Sequence, residues 1–299
     1  MLKIIVTGGS GFIGGHLVDK LIAKGHQVIV ADNESASDSD LFHCNEKARY
    51  HKVDICDKEK LDQLFQGVDY VFHMAAESRI QPAILNPSRA YLINAIGTLN
   101  VLELAKRHKV KRVIYSSTSS VYGLTNSLPT QEDCPIDCLN PYSHSKFFGE
   151  ELFRYYWKTH GVDSVIFRYF NVFGERSPTK GQYAPVVGIF LNQLKSHQKL
   201  TIVGDGNKKR DFIHVSDVID ANVSAMEYSS DLGATTINVG SGKSISILEL
   251  ARAISNDYIN IGSREGEAEN TLADISKAEK LLGFKPKVDV VDWINAQKP

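Results

Sequence analysis

The chain has 299 residues, 42% of them hydrophobic and 23% charged, and its 34 Lys and Arg balance 35 Asp and Glu to a formal net charge of −1. That content can bury a large core in one or two domains. The scattered charge offers no basic stripe for a nucleic acid, and no apolar run is long enough to span a bilayer. The first strand begins at residue 2 with no charged prelude or cleavage site, so a cytoplasmic protein is expected.

Taken in chain order, Leu2-Lys3-Ile4-Ile5-Val6-Thr7 predicts a buried strand that runs into Gly8-Gly9-Ser10-Gly11-Phe12-Ile13-Gly14 and then an amphipathic helix. Glycines 8, 11 and 14 in a G-x-x-G-x-x-G spacing let backbone N–H groups and a helix N-terminus approach a pyrophosphate. A second strand, Gln27 to Ala31, ends in Asp32, eighteen residues past Gly14, where an acid would grip an adenine-ribose diol. Asp32 is followed by Asn33 and Glu34, with no Arg or Lys until Lys47, so a 2′-phosphate would meet negative charge and the cofactor is expected to be NAD. After a third short strand, Arg49 to Val53, Asp54-Ile55 either accepts from the adenine amino group or is a plain strand-end turn.

Ile84 to His108 predicts one long helix. Lys111 to Gly123 is a strand ending in the hydroxyl run Ser116-Ser117-Thr118-Ser119-Ser120, placed where ligands sit in doubly wound sheets. Tyr142 to His160 predicts a second long helix, with Pro141 at a favoured helix start. It carries Tyr142-Ser143-His144-Ser145-Lys146, an i, i+4 pair on one helical face. Bringing a phenol from its ordinary ~10 to ~7 takes roughly 4 kcal/mol, part of which an adjacent ammonium supplies. Strands and helices alternating to about residue 170 imply parallel βαβ units. Beyond Gly174 follow a helix near Tyr183 to Ser196, a strand Leu200 to Val203, a helix after Phe212 and the strand Thr236 to Val239 returning to the main sheet. Cys44, Cys56, Cys134 and Cys138 show no CxxC framework and are expected as free thiols; neither they nor the ten histidines cluster, so no metal is expected.

Gly8-x-x-Gly11-x-x-Gly14, Asp32, Thr118 and Tyr142-x-x-x-Lys146 together resemble the extended short-chain dehydrogenase/reductase family. His73-Met74-Ala75-Ala76, Asn94, Arg168 to Gly174, Gly204 to His214 and Ala273 to Ala278 resemble its nucleotide-sugar epimerase branch, so the resemblance runs along nearly the whole chain. It implies an α/β fold, a Rossmann-type doubly wound parallel sheet (1–170 plus 212–239) that binds NAD, with a smaller α/β substrate-binding lobe (171–211 plus 240–299). For the cofactor it implies Gly8, Gly11, Phe12, Ile13, Gly14, Asp32, Asn33, Asp54, Ile55, Ala75, Tyr142 and Lys146. For the chemistry it implies Tyr142 as base, Lys146 lowering its pKa and holding the nicotinamide ribose, and Thr118 bridging to the substrate oxygen. For the substrate it implies Thr118, Asn171, Arg210, Arg264 and Thr271, while Arg79 departs from the pattern by placing a cation near the expected sugar site. The family's 4,6-dehydratases carry Asp-Glu after the threonine and its decarboxylases a Glu at the second place; Ser119 and Ser120 stand here.

The implied reaction is NAD-dependent 4-epimerisation of a UDP-hexose through a transient 4-keto sugar, with no membrane or nucleic-acid partner and a homodimer expected from the resemblance. Small Thr271 stands where bulk would exclude an N-acetyl group, which admits UDP-GlcNAc and UDP-GalNAc beside UDP-glucose and UDP-galactose. Arg79 could take a carboxylate, which keeps UDP-glucuronate 4-epimerisation open. A nucleotide 4-keto-sugar reductase and a non-catalytic NAD-binding protein also fit the same scaffold, because a fold by itself does not fix an activity.

Overall fold

The computed structural model describes residues 1–36, 43–124, 127–179, 184–262 and 269–297, so Tyr183 and Arg264 lie outside the described residues. Its strands are β1 (Lys3–Thr7), β2 (Gln27–Asp32), β3 (Arg49–Lys52), β4 (Tyr70–His73), β5 (Arg112–Thr118), β6 (Ser164–Tyr169), β7 (Asn171–Phe173), β8 (Leu200–Val203), β9 (Lys209–Arg210), β10 (Phe212–His214), β11 (Thr235–Val239), β12 (Ile245–Ser246) and β13 (Tyr258–Ile261). Its helices are α1 (Phe12–Ala23), α2 (Lys58–Asp62), α3 (Ile80–Leu85), α4 (Pro87–Tyr91), α5 (Thr98–Arg107), α6 (Pro141–His160), α7 (Val186–Lys195), α8 (Val215–Glu227), α9 (Ile247–Ile254), α10 (Ser276–Leu282) and α11 (Val290–Gln297). Seven strands form one sheet in the order β11-β6-β5-β4-β1-β2-β3, and every pairing within it is parallel. This is a Rossmann-type doubly wound α/β sheet, and its order reverses between β1 and β4.

Side-chain alternation assigns each strand residue to one of two layers. Ile4 and Val6 of β1 pack with Leu17 and Val18 of α1 and Val218 of α8. Ile5 faces the other way, with Val71, with Val101 and Leu104 of α5, and with Tyr115 and Phe153. Both faces are covered, so the central strands are near-continuous apolar runs, as buried parallel strands must be. The smaller lobe has its own core around Phe173, Phe190, Leu200, Phe212, Leu250 and Ile294. Among the described residues no helix is long and apolar enough to cross a membrane, and all four cysteines are free thiols.

The helix expected from Ile84 to His108 is broken. It starts earlier, as α3, and stops at Asn86 (φ −137°, ψ 75°) because a residue before proline is kept out of the helical region. Asn86 then caps α4, its side chain accepting from the Arg89 amide at 3.1 Å. Residues Leu92–Gly97 form a π-helical turn before α5 resumes. The second long helix matches its expected span, with Pro141 as its first residue. Asn140 caps it, accepting from the Ser143 amide at 2.9 Å, and Gly161 at φ +66° ends it.

One buried charge cluster fixes α6 to the sheet. Glu150, fully buried, accepts from Arg168 Nε (3.0 Å) and Nη2 (2.7 Å) on β6, from Ser117 Oγ (2.6 Å) on β5, and from Arg154 (2.8 Å). Burial opposes its ionisation, but the Arg168 bonds and charge outweigh burial and hold the carboxyl below its ordinary value. A carboxylate depressed in the folded state adds stability above the ordinary value of about 4.3 and loses it as pH falls through the depressed one. Glu150→Gln strands a buried guanidinium, so urea unfolding at pH 7 should lose about 3–5 kcal/mol. The gap from the parent should narrow on acidification below about pH 4.3.

Candidate active site

Parallel strands deliver their carboxyl ends to a single edge of the sheet, and the expected cofactor residues gather there. Gly8 leaves β1 at φ +68°, where a Cβ would lie 2.7 Å from the Ala75 nitrogen, and a Cβ on Gly14 would lie 2.1 Å from the Gly8 carbonyl oxygen. The loop is therefore a cradle that side chains would fill, which fits a pyrophosphate approaching bare backbone. Gly11 caps α1 without any side-chain bond to the first amides, which leaves Phe12 and Ile13 opening an uncapped N-terminus.

Asp32 is stitched to this loop, accepting from the Ser10 amide at 2.9 Å and the Glu34 amide at 2.7 Å. Asn33 Nδ2 donates to Asp54 at 2.9 Å, and the Cys56 amide donates to the same carboxylate at 2.8 Å. Burial pushes Asp54 up, but those bonds prevail and hold it below its ordinary value. Lys52 reaches this corner because β3 registers it opposite Asp32. It pairs with Glu34 at 2.7 Å, so the cation that local sequence missed is already matched by an acid. Ile55, next to Asp54, buries its side chain in the core against Gly97.

A cavity of about 600 Å³ opens between this edge and the smaller lobe, within the range of small-molecule sites. Arg79, Thr118 and Tyr142 line it from the sheet side, and Asn171, Arg210 and Thr271 from the lobe side. Asn171 Nδ2 donates to the Asp211 carbonyl (2.9 Å) and to Thr271 Oγ1 (3.2 Å), and Thr271 Oγ1 also accepts from the Asp211 amide (3.1 Å). Arg210 Nη1 donates to the Glu269 carbonyl at 2.9 Å. Lys208 and Asn270 also line the cavity. Neither was named as a site residue from the sequence, although Lys208 lies inside the Gly204 to His214 stretch and Asn270 adjoins Thr271.

The phenol and the ammonium of the Tyr-x-x-x-Lys pair meet different surroundings. Burial pushes the Tyr142 phenol above its ordinary value, against a hydrogen bond with Thr118 and the charge of Arg79, which both pull it down. Thr118 and Arg79 thus join the residues that act on this phenol. Lys146 is only 2% exposed, and its Nζ stands 4.2 Å from the centroid of the Tyr115 ring. Burial pushes it down to about 7, while Glu150 pulls it back up. His73 is a packing residue here: fully buried, it bonds Thr7 Oγ1 through Nδ1 (2.8 Å) and Thr98 Oγ1 through Nε2 (2.9 Å).

The sequence profile of the NAD dependent epimerase/dehydratase family matches residues 4–240. A protein of Methanocaldococcus jannaschii, named as a candidate UDP-glucose 4-epimerase, is 38% identical over 299 residues, covering 97% of this chain and 95% of its own. Among solved structures, UDP-glucose 4-epimerase of Thermotoga maritima with UDP-glucose superposes with a TM-score of 0.93 at 33% identity, covering 98% of this chain and 96% of its own. UDP-N-acetylglucosamine 4-epimerase of Methanobrevibacter ruminantium, in complex with UDP-N-acetylmuramic acid, gives a TM-score of 0.89 at 32% identity over 99% of each chain. The chain belongs to the NAD-dependent epimerase/dehydratase family, the epimerase side of the extended short-chain dehydrogenases/reductases. It is an NAD-dependent epimerase.

A cation stabilises a phenolate, so removing Arg79 should raise the pH at which Tyr142 ionises. Arg79→Gln should move that midpoint upward by up to about one unit. The midpoint is read from the phenolate absorbance that each protein shows over its Tyr142→Phe counterpart across a pH titration.

Proposed function

We propose that this protein interconverts the C4 epimers of a UDP-hexose through a transient 4-keto sugar. The observation that carries this reading is the cavity itself: Thr118, Tyr142 and Arg79 face Asn171, Arg210 and Thr271 across it, and the glycine cradle leaves the same parallel sheet at its carboxyl edge. In this assignment residues 1–170 plus 212–239 bind NAD, and 171–211 plus 240–299 hold the nucleotide sugar. Gly8, Gly11, Phe12, Ile13 and Gly14 take the pyrophosphate, Asp32 the adenine ribose, Asn33, Asp54 and Ile55 the adenine side, Ala75 the edge of the dinucleotide, and Lys146 the nicotinamide ribose. NAD, when bound, supplies the hydride acceptor and returns the hydride. Tyr142 takes the proton from the C4 hydroxyl and later gives it back, and Thr118 donates to the oxygen on which charge develops.

Ser119 and Ser120 also line the cavity. Neither is an acid able to remove a further proton, which supports plain epimerisation over elimination of water. Arg210 with Lys208 suits the diphosphate, and Arg264 is assigned there by resemblance. Thr271 is small and its hydroxyl is held by Asn171 and Asp211, leaving room for a 2-acetamido group. UDP-GlcNAc/GalNAc and UDP-glucose/galactose are therefore the proposed substrates. Arg79 beside Tyr142 favours one second reading, a UDP-glucuronate with its 6-carboxylate on that guanidinium.

Purified protein incubated separately with UDP-GlcNAc, UDP-glucose and UDP-glucuronate, without added reductant, should convert at least one to its C4 epimer as resolved by chromatography. Tyr142→Phe should abolish turnover while retaining NAD. Thr271→Tyr should lose the acetylated pair and spare UDP-glucose. Full activity in Tyr142→Phe would refute the base assignment.

We assign the protein to the cytoplasm, whose reducing conditions suit four free thiols. We further assign it a homodimer through α3, α4 and α6. Leu85 (74% exposed) and Phe148 (46%) leave apolar surface open on these mutually packed helices, as do Leu92 on the adjoining π turn and Tyr155. Phe148→Asp should shift the mass measured by light scattering from two chains to one, with NAD content unchanged.

A further inference from the structure

We propose that the face of Tyr115 is the seat of the Lys146 ammonium, which makes Tyr115 a positioning residue for the reaction. The inference rests on Lys146 having the cofactor-holding place assigned above, but its test needs no sugar. A nearly buried ammonium needs a partner, and the nearest anion is poorly placed to be one, since the Glu150 carboxylate is taken up by Arg168, Ser117 and Arg154. Beside the charge of Glu150, which acts on it from a distance, the ammonium has the electron-rich face of a ring 4.2 Å away, an attraction that strengthens where water is excluded.

Tyr115 is itself held from every side. It is fully buried, stacked with Phe153 at 4.6 Å and with His73 at 5.6 Å, and its hydroxyl donates to the Lys146 carbonyl oxygen at 3.2 Å. A Cβ on Gly149 would come 2.3 Å from that hydroxyl, so α6 reaches the ring only because glycine stands there. The titratable and charged groups around Lys146 are Tyr142 and Glu150 on α6, Tyr115 on β5, His73 on β4, and Arg168 on β6 acting through Glu150. His73 brings no competing charge near neutral pH: burial, aided by Lys146, pushes it down to about 3. The ring therefore favours the charged form against burial and holds it at a fixed point one turn beyond the base, ready for the ribose hydroxyls.

The test follows the Lys146 Nζ resonance across pH in protein labelled with ¹⁵N-lysine, the signal being identified by its loss in Lys146→Met. Tyr115→Phe keeps the ring and should titrate at the parent's midpoint. Replacing Tyr115 with 3,4,5-trifluorophenylalanine keeps the shape but draws electrons from the face, and should lower the midpoint by about half a unit to one unit. Retained NAD binding in both Tyr115 variants confirms that each has folded. An unmoved midpoint in the trifluoro protein overturns the proposal, as does a shift in Tyr115→Phe as large as that in the fluorinated protein. A wrong sugar assignment would leave both titrations as they are.

Discussion

Everything at this site depends on how α6 is clamped to the sheet by the Glu150–Arg168 ion pair. Tyr142, Lys146 and Glu150 share one face of α6 at i, i+4 and i+8, so whatever fixes the last also fixes the first two. Glu150 reaches β6 through Arg168 and β5 through Ser117, the two strands whose ends carry Asn171 and Thr118 onward to the cavity. A hydrophobic contact would allow the helix to slide by a fraction of a turn. A buried carboxylate with four donors does not, because each lost bond leaves a charge in an apolar core. Specificity of position, more than net stability, is what such a pair supplies here.

The opposite wall is fixed by another buried carboxylate. Asp211 accepts from the Ser241 amide and hydroxyl (2.7 Å each), the Ala273 amide (3.0 Å) and the Gly242 amide (3.1 Å). Burial pushes its pKa up against those bonds. Its own backbone holds Asn171 and Thr271. The two walls thus belong to separate cores joined by short hydrogen-bonded segments, and the cavity between them is preformed rather than left to the ligand.

Much of this was legible in the sequence because it is local. The glycine loop, Asp32, the hydroxyl run after β5 and the Asn140-Pro141 start of α6 each sit within a few residues of the feature they serve. The broken helix was missed because a long apolar pattern masked the effect of Pro87 on Asn86. What lay beyond reach were pairings set by register and crossover. Lys52 meets the Asp32 corner across a strand pair, Tyr115 lies under Lys146 from a different element, and Arg79 acts on Tyr142 from the loop before α3. Glu150 is the intermediate case, since its i+4 spacing from Lys146 was visible, but nothing nearby in sequence named Arg168 as its partner.

Tyr142 carries the remaining energetic difficulty. A phenol serving as base near neutrality must come down about 3 units, roughly 4 kcal/mol, and burial here moves it the other way. A charge-assisted bond to Thr118 is worth about 1.5–3 kcal/mol, and the Arg79 charge adds to it, yet the two together leave the phenol above its ordinary value. Among the protein's own groups burial prevails over Thr118 and Arg79, and in the proposed reaction the bound ligands would supply the balance. In the proposed reaction a bound oxidised nicotinamide, being positive, would favour the phenolate and a nucleoside diphosphate, being negative, would oppose it, so Arg210 and Lys208 would have a second use in screening that charge. With that positive charge absent, the burial that hinders ionisation would favour the phenol keeping its proton until the sugar oxygen took it back. A base that is weak by default and strengthened beside an oxidised cofactor would suit the proposed reaction, which runs in both directions in a single binding event.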